Sequence, residues 1–359
     1  MPTPRSVLLS RTAADHWAEV RAMVAAAASA EVAVNVAYSI KTNPSPDLLR
    51  MAWTSGMLVE AISQLELGKA LDCGFPAGSV VLNGPGKWWP ARVASAPLRA
   101  VFCDSLVELG QVTRWLRLGE RLARVVGVRL RPPGLPSRFG VDVGQDGAVE
   151  QVAAAVSQVP ADVAFGVHFH LFSELSSPEL RWSVVDTMLR TAVELERACG
   201  RPVHTLDIGG GWPPGPFVSE LLPGLGRFAA HAHTTLAGLR EIIVEPGRGL
   251  AEPTAAVLTR VLEVRPGSAG ELDVVVDTAV SELPEIARHP HRLFVRTAGS
   301  DAWQSLGPGN GHVLGRSCME SDILAVGVRL PADVAVGDHL AVCDAGAYDT
   351  SKSYLFGCG

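Results

Sequence analysis

Residues 32–56, "VAVNVAYSIKTNPSPDLLRMAWTSG", hold a strand, a turn and a helix in that order. Residues 32–40 are apolar and valine-rich, as a strand covered on both faces requires. Residues 45–56 space their apolar side chains as a helix does and stop at Gly56, a helix C-terminal signal. Between them Lys41 stands alone at the strand tip, followed by Thr42, Asn43 and Pro44. Such a lysine either snorkels to water or does chemistry, because buried lysines are rare unless paired or functional.

The alternation recurs outward from this unit. Runs at 58–63, 79–84, 100–105, 124–130, 165–171, 203–209 and 241–247 read as further strands with helical patterns between them, eight strands in all. Apolar strands alternating with helices imply a parallel sheet, and eight units predict a (β/α)8 TIM barrel over residues 1–249. After residue 250 strands follow one another through Gly/Pro turns, which predicts a second, mostly β domain, a sandwich or barrel, at 250–359. "RSVLLS" (5–10) is a candidate extra strand for that domain, so residues 1–10 could join either part.

Composition narrows the class. The chain has 359 residues, 47% hydrophobic and 19% charged, which marks a globular protein of two-domain size. Its net charge is −6 and no Lys/Arg cluster is present, which argues against nucleic acid as a partner. Glu31 and Asn35 break the Ala-rich stretch that might otherwise span a membrane, and the N-terminal apolar run is too short for a secretory signal. The six cysteines are dispersed without CxxC pairs, so a reduced, cytoplasmic protein without a disulfide framework is expected. Cys73, Cys103, Cys199 and Cys343 read as core residues, and Trp88 and Trp89 as packing at a helix start.

In such a barrel the strand C-terminal ends carry the site. They hold Lys41; Glu60, with Glu66 in the next helix; Arg129; His168, His170 and Ser173; Gly209, Gly210 and Gly211; and Glu245, Pro246, Gly247 and Arg248. Glycine turns after the seventh and eighth strands suit a phosphate, because bare N–H groups approach it closely and Arg248 adds charged donors. A lysine beside a phosphate site suits pyridoxal phosphate, whose aldehyde takes a lysine amine. Glu245 sits beside the phosphate turn, where a carboxylate facing the pyridine nitrogen would keep it protonated, and His170 would be available to lie flat against the ring. His168 and His170 share a strand face as metal ligands do, but the further ligands such a site wants are missing, so no metal is expected.

"AYSIKTNP" (37–44), "GVHFHLFSE" (166–174), "LDIGGGWP" (206–213), "EPGRG" (245–249), "GRSCMESDIL" (315–324) and "CDAGAY" (343–348) resemble, in order, the fold-type III pyridoxal-phosphate decarboxylases of the ornithine/diaminopimelate group. The resemblance implies an alanine-racemase-like barrel with a β domain, and decarboxylation of an amino acid or amino-acid conjugate. It implies that Lys41 is the Schiff-base lysine, that His170 stacks on the ring, and that Glu245 meets its nitrogen. Ser173, Gly210, Gly211, Pro246, Gly247, Arg248 and Tyr348 would surround the cofactor, with Glu60, Glu66 and Arg129 nearby. Cys318 would reprotonate the α-carbon from the partner subunit of a homodimer with shared active sites.

Two departures bear on the substrate. Met319 stands where a relative gripping a distal amine has an acidic residue, which Glu320 supplies one place late, on another face. Asp277 opens the family's substrate segment, but "TAVSELPEIARHPH" (278–291) lacks the arginine that holds a distal carboxylate, and Glu285 stands near that place. A substrate with a neutral or conjugated distal end, such as an aminoacyl group on a carrier protein, is therefore expected. Phe172 replaces a glycine beside the phosphate site. An amino-acid racemase of the same architecture is the rival reading, which Glu245 and Cys318 oppose. A non-catalytic cofactor-binding protein is the other, which the retained Lys41 and Cys318 oppose.

Overall fold

The computed structural model describes residues 3–85, 87, 96–171, 177–212, 222–267 and 270–356. The chain forms two compact units: His16–Gly249, and Met1–Asp15 together with Leu250–Gly359. Strand β1 (Arg5–Leu8) and helix α1 (Ser10–Ala27) come first.

The larger unit is an eight-stranded parallel barrel. Its strands are β2 (Ala33–Ser39), β3 (Leu58–Ala61), β4 (Val80–Leu82), β5 (Leu98–Cys103), β6 (Ala123–Arg131), β8 (Ala164–His168), β9 (Val203–Asp207) and β10 (Glu241–Val244), with the short β7 (Val141–Asp142) beside β6. The order β5-β4-β3-β2-β10-β9-β8-β6 closes through pairing of β6 with β5. All eight coincide with the strands expected from sequence, within a few residues at each end. Helices α2 (Pro46–Thr54), α3 (Gln64–Asp72), α4 (Leu106–Arg117), α5 (Ala148–Val156), α6 (Pro178–Cys199), α7 (Leu222–Thr235) and α8 (Gly247–Ala251) belong to the connections. At the N-terminal ends of the strands, Arg99 grips Glu241 through two nitrogens, at 2.6 and 3.1 Å, and Asn35 Nδ2 donates to the same carboxylate at 2.6 Å.

Two helices start in the same way. Ser63 Oγ accepts the Glu66 N–H at 3.2 Å, and Glu66 Oε2 accepts the Ile62 N–H at 2.8 Å. Ser105 and Glu108 repeat this, with Glu108 Oε2 taking the Asp104 N–H at 2.6 Å. Both are Ser-x-x-Glu capping arrangements that satisfy otherwise orphaned N–H groups. Glu66 and Glu108 are thereby pinned at the C-terminal face of the barrel.

The second unit is a sheet in the order β14-β13-β17-β11-β12-β15-β16. The strands are β11 (Ala255–Pro266), β12 (Leu272–Val276), β13 (Leu293–Arg296), β14 (Gln304–Ser305), β15 (Gly307–Leu314), β16 (Ile323–Arg329) and β17 (His339–Cys343), followed by α9 (Asp349–Lys352). Strand β1 pairs antiparallel with β11, Arg5 opposite Leu258. β11 has two further neighbours: residues 256–260 pair with β17, and from Val261 on, across a bulge between Val261 and Glu263, it pairs with β12. Val261, Val274, Leu283, Val313, Leu324 and Leu340 are among the residues of the core. Strand β15, "GPGNGHVL", was not expected from sequence; its glycines erase the period-two alternation that marks a strand. Among the described residues no helix is long and apolar enough to cross a membrane.

Candidate active site

Lys41 lies in a tight turn directly after β2. The Tyr38 hydroxyl donates to the Asn43 carbonyl at 2.9 Å and the Asn43 side chain accepts the Ser45 N–H at 3.1 Å, so both ends of the turn are braced. Register places Glu60 of β3 opposite Ser39 of β2. Lys41 Nζ therefore meets Glu60 Oε2 at 2.6 Å and Ser39 Oγ at 2.8 Å. Glu60 is buried, and the amine keeps partial access to solvent. Burial pushes the Glu66 carboxyl, next to this pair, up to about 7; Glu60 adds to the rise, while the Ile62 N–H and Lys41 oppose it.

Across the mouth a second carboxylate organises a buried cluster. Glu245 follows β10, and its Oε1 accepts from Asn83 Nδ2, at the end of β4, at 2.5 Å. His170 Nδ1 lies 3.6 Å and His168 Nε2 3.9 Å from Oε2, which accepts no hydrogen bond among the described residues. Burial raises the Glu245 pKa, but His170, His168 and Lys41 outweigh it and hold the group below the usual carboxylate range. Asp207, which accepts the Gly209 N–H at 2.9 Å, is pushed well up by burial and by the charge of Glu245. Desolvation lowers both histidines, so the cluster carries one firm negative charge, on Glu245.

A backbone cradle adjoins it. Gly209 has φ +66° and Gly211 φ +77°, which glycine adopts without strain. A Cβ on Gly210 would stand 2.7 Å from His170 Cε1 and 2.8 Å from the Glu245 carbonyl oxygen, so nothing larger fits. The Gly210 N–H points to His170 Nδ1 at 3.2 Å. Pro246, Gly247 and Arg248 are buried beside Glu245 in sequence. Arg129, at the end of β6, lies 3.8 Å from Asp104 and stacks on Phe139 at 4.9 Å.

Thus the barrel brings together Lys41, Glu60, Glu66, Arg129, His168, His170, Gly210, Gly211 and Glu245. Ser173 and Phe172 lie outside the described residues, as do Trp88, Trp89 and Cys358. Cys318, Met319, Asp277 and Tyr348 belong to the other unit. There Cys318 is exposed in the loop between β15 and β16, while Met319 packs against the β core. The Asp277 carboxylate accepts from Thr3 Oγ1 at 2.5 Å, Thr259 Oγ1 at 2.8 Å and the Arg260 N–H at 2.8 Å. Glu285 is buried against Lys352 Nζ at 2.8 Å. Tyr348 takes φ +68°, with Lys352 Nζ 4.6 Å from its ring centre. Cys103 is buried, whereas Cys73, Cys199 and Cys343 are only half-buried, at the ends of elements and not in the core as expected. Sequence reasoning missed Ser39 and Asn83; both stand at strand ends, where the rule that selected Lys41 and Glu245 also applies.

Residues 17–252 match the family model of the pyridoxal-dependent decarboxylase pyridoxal-binding domain. The chain is 31% identical to a diaminopimelate decarboxylase of Actinosynnema pretiosum subsp. auranticum over 357 residues, covering 92% of this chain and 77% of that protein. The chain belongs to the pyridoxal-dependent decarboxylases. It is also 25% identical to the L-glutamyl-[BtrI acyl-carrier protein] decarboxylase of Niallia circulans, over 89% of this chain and 79% of that one. The fold matches the Helicobacter pylori diaminopimelate decarboxylase structure with a TM-score of 0.78 at 22% identity, covering 99% of this chain and 89% of the other. Pyridoxal phosphate is accordingly the cofactor of this decarboxylase, and amino-acid decarboxylation its reaction class. Its residues fit that group: an amine at Lys41, a buried anion at Glu245 with an oxygen that accepts no hydrogen bond among the described residues, and a cradle that a Cβ would fill at Gly210. His168, His170 and Glu245 also bring ligand atoms within 4.8 Å of one another, as a metal site would, but Lys41 and the glycine cradle have no part in such a site.

Proposed function

We propose that this decarboxylase holds pyridoxal phosphate on Lys41 and removes the α-carboxylate of an amino acid whose distal end is uncharged or joined to a carrier. The observation that carries the cofactor's placement is the buried, anionic Glu245, whose Oε2 accepts no hydrogen bond among the described residues, in the same barrel mouth as the Lys41–Glu60 pair. When bound, pyridoxal phosphate supplies a ring that accepts the electron pair left as CO2 departs.

Glu245 keeps a proton on the pyridine nitrogen by opposing its charge, and Asn83 fixes the carboxylate's orientation. His170, positioned by the Gly210 N–H, would cover one face of the ring. Glu60 orients the Lys41 amine and balances its charge. Gly210, Gly211, Pro246, Gly247 and Arg248 would hold the phosphate end, with Arg129 nearby, and the family resemblance adds Ser173 and Tyr348 to that role. The Cys318 thiol, from the partner subunit of a homodimer, donates a proton to the α-carbon, and the thiolate regains one from water. The balance is one amino acid and one proton in, one amine and one CO2 out. Asp277 has no part in this proposal, since its carboxylate accepts from Thr3, Thr259 and the Arg260 N–H. A cytoplasmic location keeps Cys318 reduced.

The substrate reading rests on three residues being committed elsewhere. Met319 packs into the β core, Glu285 pairs with Lys352, and Asp277 ties strands together. None offers a charge to a distal ammonium or carboxylate. The Niallia circulans relative, named for a carrier-linked glutamyl substrate, supports the same reading. The test is CO2 release from free ornithine, lysine, arginine and diaminopimelate against aminoacyl thioesters of pantetheine. Robust turnover of any free diamino acid defeats the substrate reading. Exchange of the α-proton without CO2 release would indicate a racemase instead.

A further inference from the structure

We propose that Asp322 is a positioning residue for the reaction: it fixes the loop that presents the Cys318 thiol. The inference rests on the reading of Cys318 as proton donor. Residues 315–322 join β15 to β16, with Cys318 exposed near the middle, while Asp322 is only 4% exposed. Its carboxylate accepts three hydrogen bonds: from the Val280 N–H at 2.7 Å, the Ser317 N–H at 2.7 Å and the Ser317 hydroxyl at 2.5 Å. Two of these come from the residue directly before Cys318. The backbone closes the same ring, with the Gly315 N–H donating to the Asp322 carbonyl at 2.8 Å and the Asp322 N–H to Met319 at 3.0 Å. Gly315 has no alternative, because a Cβ there would overlap the Asp322 carboxylate.

A second anchor holds the other side. The Arg316 N–H donates to the Thr278 carbonyl at 3.1 Å, and its guanidinium pairs with Glu282 at 2.6 Å. Met319, partly buried, packs against the core, so Cys318 has an anchored neighbour on each side. A proton donor must sit within hydrogen-bond reach of the atom it serves, and displacement by about 1 Å can cost on the order of 10²-fold in rate. An ionised carboxylate accepts from all three donors, whereas an amide turns an N–H towards one of them. The loop's geometry therefore depends on the charge-bearing side chain and not merely on its size.

The experiment compares wild type, Asp322→Asn, Ser317→Ala and Cys318→Ala as holoenzymes. Hydrogen exchange of the 315–319 amides is expected to quicken by about tenfold or more in Asp322→Asn, with the β11 and β17 amides unchanged. Ser317→Ala, which loses one of the three bonds, moves in the same direction by less and serves if Asp322→Asn does not fold. Turnover is then followed in D2O with the fastest substrate among lysine, ornithine, arginine, diaminopimelate and glutamyl-pantetheine thioester. Asp322→Asn is expected to lower kcat by about 10- to 100-fold with KM within about twofold, and to scramble the configuration of deuterium at the product α-carbon. A role confined to stability would lower active enzyme but leave that configuration single. Unchanged loop exchange overturns the proposal without any substrate, and so does a loosened loop with a single configuration and wild-type kcat. If Cys318→Ala itself retains wild-type kcat and a single configuration, the proton-donor reading fails, and the positioning role falls with it.

Discussion

Lys41 Nζ lies 2.6 Å from Glu60 Oε2, and the carboxylate of this pair is buried. The two residues are neighbours only because β2 and β3 pair in a register that sets Ser39 opposite Glu60. A buried carboxylate left without its cation is costly, so the pair is coupled in both directions. Lys41→Ala is expected to abolish borohydride trapping of the cofactor and to lower CO2 release by at least about 10³-fold. Glu60→Gln should retain trapping, read by mass spectrometry, while kcat falls about 10- to 100-fold. Trapping that persists in Lys41→Ala would place the covalent link on another residue.

Glu245 is expected to act through its charge. Glu245→Gln keeps the shape and an oxygen for Asn83 Nδ2, but removes the anion that opposes the pyridine nitrogen. We expect kcat to fall by about 10²-fold or more, with thermal stability close to wild type. Asn83→Ala should give a smaller loss in the same direction. Steady-state kinetics and a thermal melt separate the two effects.

The cradle tolerates no side chain at Gly210. Gly210→Ala puts a Cβ 2.7 Å from His170 Cε1 and 2.8 Å from the Glu245 carbonyl oxygen, and both neighbours must shift. The expected outcome is cofactor affinity weakened tenfold or more and a stability loss of about 1–3 kcal/mol. Cofactor titration followed by absorbance, together with denaturant unfolding, measures both. Wild-type affinity in Gly210→Ala would mean that the cofactor does not depend on this cradle.

Glu66 sets a pH dependence of stability in the apo-protein. Burial raises its pKa from 4.5 to about 7 in the folded state. Between those values the native state binds more protons than the unfolded chain, so unfolding free energy falls as pH rises. The contribution is complete below 4.5 and lost as pH passes 7. For a half-buried group it amounts to on the order of 2 kcal/mol. Glu66→Gln, neutral throughout and still able to accept the Ile62 N–H, should flatten this part of the stability profile. Denaturant melts between pH 4.5 and 8, compared between the two proteins, provide the check, within the window set by the two pKa values.

The site was legible to the extent that it lies at strand ends. Lys41, His170 and Glu245 each follow an apolar run and Glu60 lies within one, and the apolar run is what a parallel barrel strand looks like in sequence. Asn83 obeys the same rule at the end of β4, a strand the sequence shows, but a neutral amide there was not singled out beside the charged and glycine residues. The Ser-x-x-Glu pairs Ser63–Glu66 and Ser105–Glu108 were readable as helix caps and would have fixed two helix starts. Met319 illustrates the limit: its place beside Cys318 suggested a substrate contact, but the apolar side chain turned to the β core.

The sequence by itself determined the barrel, the change to β structure after residue 250, and the set of chemical groups at the mouth. Those depend on local periodicity and on which residue follows each strand. Only the tertiary structure decided how the groups meet. Asn83 and Glu245 are 162 residues apart and touch because β6 closes on β5 and β10 pairs with β2. It also decided the charges: burial and mutual repulsion push Asp207 up while its neighbour Glu245 stays anionic, and Glu66 is brought to about 7. Such shifts depend on distance and desolvation, which exist only once the chain has folded.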